Sequence, residues 1–269
     1  MADTSRDPEA TCRLIHRLAD AAAAATGPHF RNTIADDKGE HAFDPVTEGD
    51  RAGERAMREI LADAAPDDSV VGEEYPAKTG ASGWTWYLDP IDGTRAFLAG
   101  LPTWTTLIGL AGPDGTPVFG CIDQPVLGER YTGWPGGAEL FSMRNQARTP
   151  IRVSACADLR QAVISTTDPF LLAPAEEGAW THLRHTARLA RYGLDAYAYA
   201  RLAAGTIDLV AETGLKPWDT AALIPVVRGA GGLAMDWQGR PAGHGGQIVC
   251  AASEAVMEQA LLALRRSAQ

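Results

Sequence analysis

The sequence predicts a protein of α+β and α/β character, built as two halves that pack into one body. Three observations predict it. Between residues 105 and 153, apolar stretches alternate with turn residues, the pattern of an antiparallel meander. From about residue 160, strand-like and helix-like stretches alternate, which implies a sheet layered with helices. No linker, low-complexity run or internal repeat separates the two regions. The expected division is therefore a 1–150 half and a 151–269 half, with a functional cleft between them.

Each element has a local reason. Asp7-Pro8-Glu9 starts a helix, with Asp7 as N-cap and Pro8 in the first helical position. Leu14, Ile15, Leu18, Ala21, Ala22 and Ala25 share one face of it, and Gly27-Pro28 ends it. Residues 31–45, centred on Asp36-Asp37-Lys38-Gly39, read as a loop or mobile hairpin. Thr47 and Asp50 form a capping box, with Asp in place of the usual Glu or Gln. The helix after it runs to about residue 64, with Met57, Ile60 and Leu61 inward. Val70-Val71-Gly72-Glu73-Glu74 is a short strand ending in two acids. Trp84-Thr85-Trp86-Tyr87-Leu88 is a buried strand that leads into Asp89-Pro90-Ile91-Asp92-Gly93-Thr94. One helical turn at 95–98 ends at Gly100-Leu101-Pro102. Strands follow at 105–111, 117–123, 130–132, 138–141 and 151–153. The second half places strands at 163–165, 189–192, 207–211, 231–236 and 248–251, and helices at 176–187, 196–204, 218–228 and 253–265.

Composition narrows the function classes. A hydrophobic content of 45% and a charged content of 22% suit a soluble enzyme of 269 residues with a sizeable core. A net charge of −10 and a pI near 5.1 disfavour nucleic acid and anionic membranes as partners. An anionic substrate would need bound metal ions to attract it. Cys12, Cys121, Cys156 and Cys250 lie far apart and form no C-x-x-C, so inert thiols are expected rather than disulfides or zinc. The N-terminal stretch lacks a basic segment followed by an apolar one, and the small-residue run at 21–25 is too short to span a bilayer. A cytoplasmic protein is the expectation.

The chemistry concentrates at residues 89–94. Pro90 stiffens and Gly93 permits a turn that Asp89 and Asp92 bracket. Asp89 with the Ile91 carbonyl offers oxygen ligands to one cation, and Asp89 with Asp92 to a second. Such sets suit Mg2+ or Mn2+ and argue against zinc. A helix starting just after Asp92 would aim the Gly93 and Thr94 amides at an anion. Two cations beside an anion cradle is the layout of a phosphoryl-hydrolysing site, one lowering the pKa of a water and the other stabilising the leaving oxygen. Plainer readings stand beside these. A D-P-x-D-G run is also an ordinary tight turn, Asp50 a helix-start acid favoured by the macrodipole, and Glu73-Glu74 a solvated pair. The EF-hand, P-loop, G-x-S-x-G and H-E-x-x-H patterns are absent. His182 and His185, three apart on a helix with no further ligand nearby, read as surface residues.

Gly72-Glu73-Glu74, Asp89-Pro90-Ile91-Asp92-Gly93-Thr94 and Trp218-Asp219-Thr220-Ala221-Ala222 resemble the three signature motifs of the inositol monophosphatase family. Asp44-Pro45-Val46-Thr47-Glu48-Gly49-Asp50 resembles the segment that precedes them. The resemblance runs in order over roughly residues 10–265. It implies phosphomonoester hydrolysis with two or three Mg2+ ions, or Mn2+, on a layered αβαβα sandwich of the sugar-phosphatase fold, commonly as a homodimer. It implies Glu73, Asp89, Asp92, Asp219 and the Ile91 carbonyl as metal ligands. Asp50 and Thr94, with Glu73, would then serve the attacking water, and the Gly93 and Thr94 amides would hold the phosphate, with Asp92 and Asp219 beside the substrate. Lys38 would lie on a loop near the phosphate.

Two further segments bear on the ester. Leu215-Lys216-Pro217-Trp218-Asp219 resembles the L-K-P-Y-D run of the histidinol-phosphate type. Tyr192-Gly193-Leu194-Asp195-Ala196-Tyr197 resembles its G-G-D-x-Y segment, with Leu194 replacing the second glycine. Asp195 and Glu212 would then line the substrate side without binding metal. An acidic wall suits an ammonium or imidazole group, and histidinol phosphate carries both. Glu212 could equally accept hydrogen bonds from a polyol, so inositol or another sugar phosphate is the alternative. A non-catalytic, metal-binding regulatory relative is the remote one, and the intact ligand set with Asp50 and Thr94 argues against it. The expected partner is a small phosphate ester.

Overall fold

The computed structural model describes residues 6–32, 36–37 and 45–268. Helix α1 (Pro8–Thr26) begins at Asp7, whose carboxylate accepts the amides of Glu9 and Ala10. Strands β1 (Asp36–Asp37) and β2 (Pro45–Val46) pair antiparallel, so the predicted hairpin is present as a two-residue ladder. Lys38 and Asp44 lie outside the described residues. Helix α2 (Glu48–Ala64) starts on the predicted capping box: Asp50 Oδ2 accepts the Thr47 amide at 2.7 Å and its hydroxyl at 2.6 Å.

Seven strands then form one sheet in sequence order: β3 (Ser69–Gly72), β4 (Thr85–Asp92), β5 (Thr105–Ala111), β6 (Pro117–Gln124), β7 (Glu129–Trp134), β8 (Gly137–Ser142) and β9 (Ala147–Pro150). Only β3 and β4 run parallel. The short helix α3 (Thr94–Leu98) leaves the end of β4. The strand expected at 151–153 is not there; the last strand is β9. The Ile151 amide still reaches the Ala138 carbonyl at 3.0 Å, but the Val153 amide has crossed to the Ala230 carbonyl at 3.1 Å. The chain is by then leaving the sheet edge.

The second sheet is mixed, with order β11-β10-β12-β14-β13: β10 (Val163–Ser165), β11 (Leu189–Arg191), β12 (Leu209–Leu215), β13 (Leu233–Met235) and β14 (Gly246–Ala251). Helices α4 (Pro174–Thr186), α5 (Tyr197–Ala203), α6 (Pro217–Gly229) and α7 (Glu254–Leu264) alternate with these strands.

Period-two alternation sorts the side chains into three apolar layers. On β5, Ile108 points to the α1–α2 side, joining Ile15, Leu18, Met57 and Leu61, while Leu107 points to the α5–α6 side, joining Tyr199, Leu223 and Val227. On β14, Ile248 and Cys250 enter that same middle layer, and Val249 and Ala251 face Trp180, Leu183, Val256 and Met257 of α4 and α7. The order is thus helices, sheet, helices, sheet, helices, the αβαβα sandwich expected. All four cysteines are free, and His182 and His185 are exposed. Among the described residues no helix is long and apolar enough to cross a membrane.

One row of residues sets where α6 sits. Gly109, Gly120 and Gly133 are paired neighbours on β5, β6 and β7. A Cβ on any of them would overlap the α6 backbone near Ala221, Ala222 or Pro225. The helix therefore lies directly on the large sheet, and its first turn is brought to the end of β4.

Candidate active site

Strand β4 pairs regularly with β5 as far as Asp89 opposite Leu107, then slips before Asp92 resumes opposite Thr105. Pro90 supplies no ladder donor, and Asp89 Oδ1 instead accepts the Ile91 amide at 3.0 Å. The Pro90 carbonyl is held by the Thr106 hydroxyl at 2.8 Å. Gly93 turns the chain with φ +80° and opens α3. The Thr94 hydroxyl folds back onto the Ile91 carbonyl at 3.1 Å. Asp89 and Asp92 are thus displayed by an irregularity that the sequence encodes in the six residues 89–94.

Asp219 arrives from the other half of the chain, in the first turn of α6, with its Oδ2 on the Lys216 amide at 2.7 Å. One carboxylate oxygen from each of Asp89, Asp92 and Asp219 lies within 4.8 Å of the others. Glu73 falls outside this mutually adjacent trio, at the exit of β3, with its amide on the Leu88 carbonyl at 3.2 Å. It nonetheless acts on the trio. Burial first, then the charges of Glu73, Asp92, Asp219 and Asp50, hold Asp89 well above the usual carboxylate range. Burial, then Asp195 and Asp219, does the same to Asp92. Burial pushes Asp219 up to about 6. Three acids that resist ionising together, all oxygen donors with no sulfur or imidazole among them, fit a hard divalent cation. Asp50 is only 1% exposed, and burial raises it to about 6 against the two Thr47 hydrogen bonds. Both of those cap bonds use the same oxygen, Oδ2.

Asp195 and Glu212 form a further wall of the same cavity. Asp195 takes φ +47°, an unusual conformation for a residue with a side chain, and its carboxylate packs over Gly93. The next amide, Ala196, donates to Asp92 Oδ2 at 2.8 Å and so ties this wall to the floor. Burial raises Asp195 to about 6, with the Arg95 charge opposing. Glu212 lies on β12, 8% exposed, gripped by the Thr167 amide at 2.8 Å, the Thr167 hydroxyl and the Tyr199 hydroxyl at 3.0 Å. Burial pushes it to about 7. Asp92, Asp195, Glu212 and Asp219 share one cavity of about 180 Å³ with Asp168, Thr167 and Tyr199. Beside it opens a hollow of about 820 Å³ lined by Gly93, Thr94, Arg95, Arg184, Tyr192 and the 90% exposed Phe170. Sequence reasoning missed Thr167, Asp168 and Tyr199. Only Tyr199 carried a signal, as a tyrosine four positions after Asp195, although α5 begins only at Tyr197.

The crowding at Gly93 makes a prediction. A Cβ there would stand 3.0 Å from Asp195 Oδ2 in a left-handed backbone. Gly93→Ala is expected to cost about 1–2 kcal/mol of stability, read by denaturant unfolding, and to lower turnover by displacing Asp195. Unchanged stability and turnover together would mean that this approach is not tight in solution.

Comparison with known proteins agrees with this architecture. The chain belongs to the inositol monophosphatase family, whose model matches residues 8–269. That membership makes it a phosphatase of a generally metal-dependent kind. It is 40% identical over 225 residues to the chloroplastic bifunctional phosphatase IMPL2 of Arabidopsis thaliana, a match covering 83% of this chain and 63% of the plant protein. It is 35% identical over 258 residues to a histidinol-phosphatase of Streptomyces coelicolor, covering 93% and 94% of the two chains. The solved structure of an inositol monophosphatase from Zymomonas mobilis, 40% identical, superposes with a TM-score of 0.84 over 96% of this chain and 99% of that one.

Proposed function

We propose that the protein hydrolyses L-histidinol phosphate to L-histidinol and phosphate, with Mg2+ as cofactor, as a step in histidine biosynthesis. The observation that carries this reading is the shared cavity, which Asp195 and Glu212 line together with Asp92 and Asp219. Asp89, Asp92, Asp219, Glu73 and the Ile91 carbonyl would hold the metal. Bound Mg2+ would supply a water of lowered pKa and positive charge for the leaving oxygen. Asp50, whose pKa burial raises to about 6, would hold and deprotonate the attacking water together with Thr94. The Gly93 and Thr94 amides hold the phosphate oxygens. Asp195 accepts from the substrate's ammonium or imidazole, and Glu212, pinned by Thr167 and Tyr199, supplies a second fixed acceptor.

Several features support this. A −10 chain that lines a small cavity with carboxylates favours a cationic group next to the ester, and the Streptomyces coelicolor relative is named for this substrate. The second reading, an inositol or other polyol phosphate, is favoured by the likeness to the Zymomonas mobilis structure. A homodimer and a cytoplasmic location complete the proposal.

Phosphate release from a panel of esters separates the readings. L-histidinol phosphate is expected to give the highest kcat/KM at saturating Mg2+, and chelation to abolish release. Preference for inositol 1-phosphate would establish the polyol reading. No release from any ester at saturating Mg2+ would point to a regulatory protein that binds metal without catalysis.

A further inference from the structure

Helix α2 carries a second buried carboxylate one turn after Asp50, on the same face. Glu54 is 0% exposed. Its Oε1 accepts Arg58 Nε at 2.7 Å, and its Oε2 accepts the Glu74 amide at 2.7 Å. Arg58 also reaches the Tyr75 carbonyl at 3.2 Å. The carboxylate lies flat against Gly72, where any Cβ would overlap it. Glu73 is therefore fixed from both flanks. Its own amide is on the Leu88 carbonyl of β4, and the following amide is on Glu54.

A buried ion pair is weak evidence of stabilisation, because a well-packed apolar pair of similar volume stabilises as well or better. Catching the Glu74 amide, however, requires an acceptor, and the glycine at position 72 leaves room for that acceptor alone. The placement acts on Glu73 above all, because the two held amides, its own on β4 and that of Glu74 on Glu54, flank that one residue. We infer that Glu54 is a positioning residue: it fixes the Gly72–Glu74 turn so that Glu73 faces Asp89, and thereby sets the affinity of the acidic cluster for a divalent cation. The inference rests on the reading of Glu73 as a metal ligand. Groups of this kind behind metal ligands are worth about 10–100-fold in affinity.

The test is a double-mutant cycle on Mn2+ binding to the metal-free full chain, with free Mn2+ followed by electron paramagnetic resonance well below the melting temperature. Glu54→Gln keeps the side-chain length but removes the charge and one acceptor. It is expected to weaken Mn2+ binding about 10–100-fold, and Glu73→Gln to weaken it as well. In the double variant the loss should be no greater than in Glu73→Gln alone. A purely structural role would instead lower the melting temperature of the metal-free protein and leave Mn2+ affinity intact, which overturns the inference. So does additivity of the two losses. Wild-type affinity in Glu73→Gln alone would remove the ligand reading on which the inference stands. Should Glu54→Gln fail to fold, Glu54→Asp keeps the charge for Arg58 and withdraws the acceptor from the Glu74 amide by one methylene. The same cycle and the same outcomes then apply.

Discussion

Asp92→Asn is expected to lower kcat by about a thousandfold or more, some 4 kcal/mol of transition-state stabilisation, while leaving the fold intact. The two halves of that expectation have separate causes. An amide is a neutral and weaker ligand than a carboxylate, and Asp92 stands within 4.8 Å of both Asp89 and Asp219, so its loss should disable the cluster as a unit. The fold should not suffer, because asparagine keeps an oxygen for the Ala196 amide, which sits at 2.8 Å. It also removes a buried charge that burial, Asp195 and Asp219 all oppose. The metal-free variant should therefore melt at or above the wild-type temperature, whereas the upward shift on adding Mg2+ should shrink. Near-normal kcat at saturating Mg2+ would sink the assignment of Asp92 as a ligand. A variant that melts well below wild type without metal would show that the charge is needed for folding instead.

What could be read from the chain follows the range of each interaction. The Asp7 cap, the Thr47–Asp50 box and the Asp89–Thr94 turn each close within about one turn of backbone, so residue type and spacing reveal them. The central strands were equally legible, since Leu107 and Ile108 must face opposite layers and both layers are apolar. The errors lie where pairing is set from elsewhere. The edge strand β9 takes its register from a turn in which Gln146 adopts φ +56°, and glutamine gives no sign of that conformation. Strand β12 was expected to stop at 211. It continues to Leu215 across an irregularity at Glu212, because β14 offers partners that Thr213-Gly214 does not advertise.

The same distinction runs through the site. Asp89, Asp92 and Asp219 could be named because short motifs carry them, but that they converge depends on the Gly109, Gly120 and Gly133 row, which lets α6 lie on the sheet. Glu212 could be named, but the Thr167 amide that grips it lies 45 positions away, after a three-residue strand with no periodicity. The role inferred for Glu54 was invisible for a related reason. In sequence it is one more acid on a charged helix face, and only its contact with Gly72 and Glu74 sets it apart.

Asp195→Asn carries the largest expected effect on substrate choice. The variant is mild toward the backbone, since asparagine is among the few residues with a side chain that tolerate the left-handed region in which Asp195 sits at φ +47°. What it removes is charge. A hydrogen bond to a charged group is worth about 1.5–3 kcal/mol, so kcat/KM for L-histidinol phosphate should fall roughly 10–100-fold. Hydrolysis of inositol 1-phosphate should change little, because a hydroxyl can donate to an amide oxygen as well as to a carboxylate. One complication cancels by design. Among the charges around Asp92, Asp195 raises it most, so neutralising Asp195 eases ionisation of the acidic cluster. That benefit is common to every ester and drops out of the ratio of the two kcat/KM values. The ratio is therefore the quantity to measure. A fall confined to the amine-bearing substrate assigns Asp195 to recognition of its cation. Equal falls on both esters would place Asp195 in the shared floor, acting through Gly93 and the Ala196 amide on Asp92, and would leave Glu212 to account for the choice of substrate.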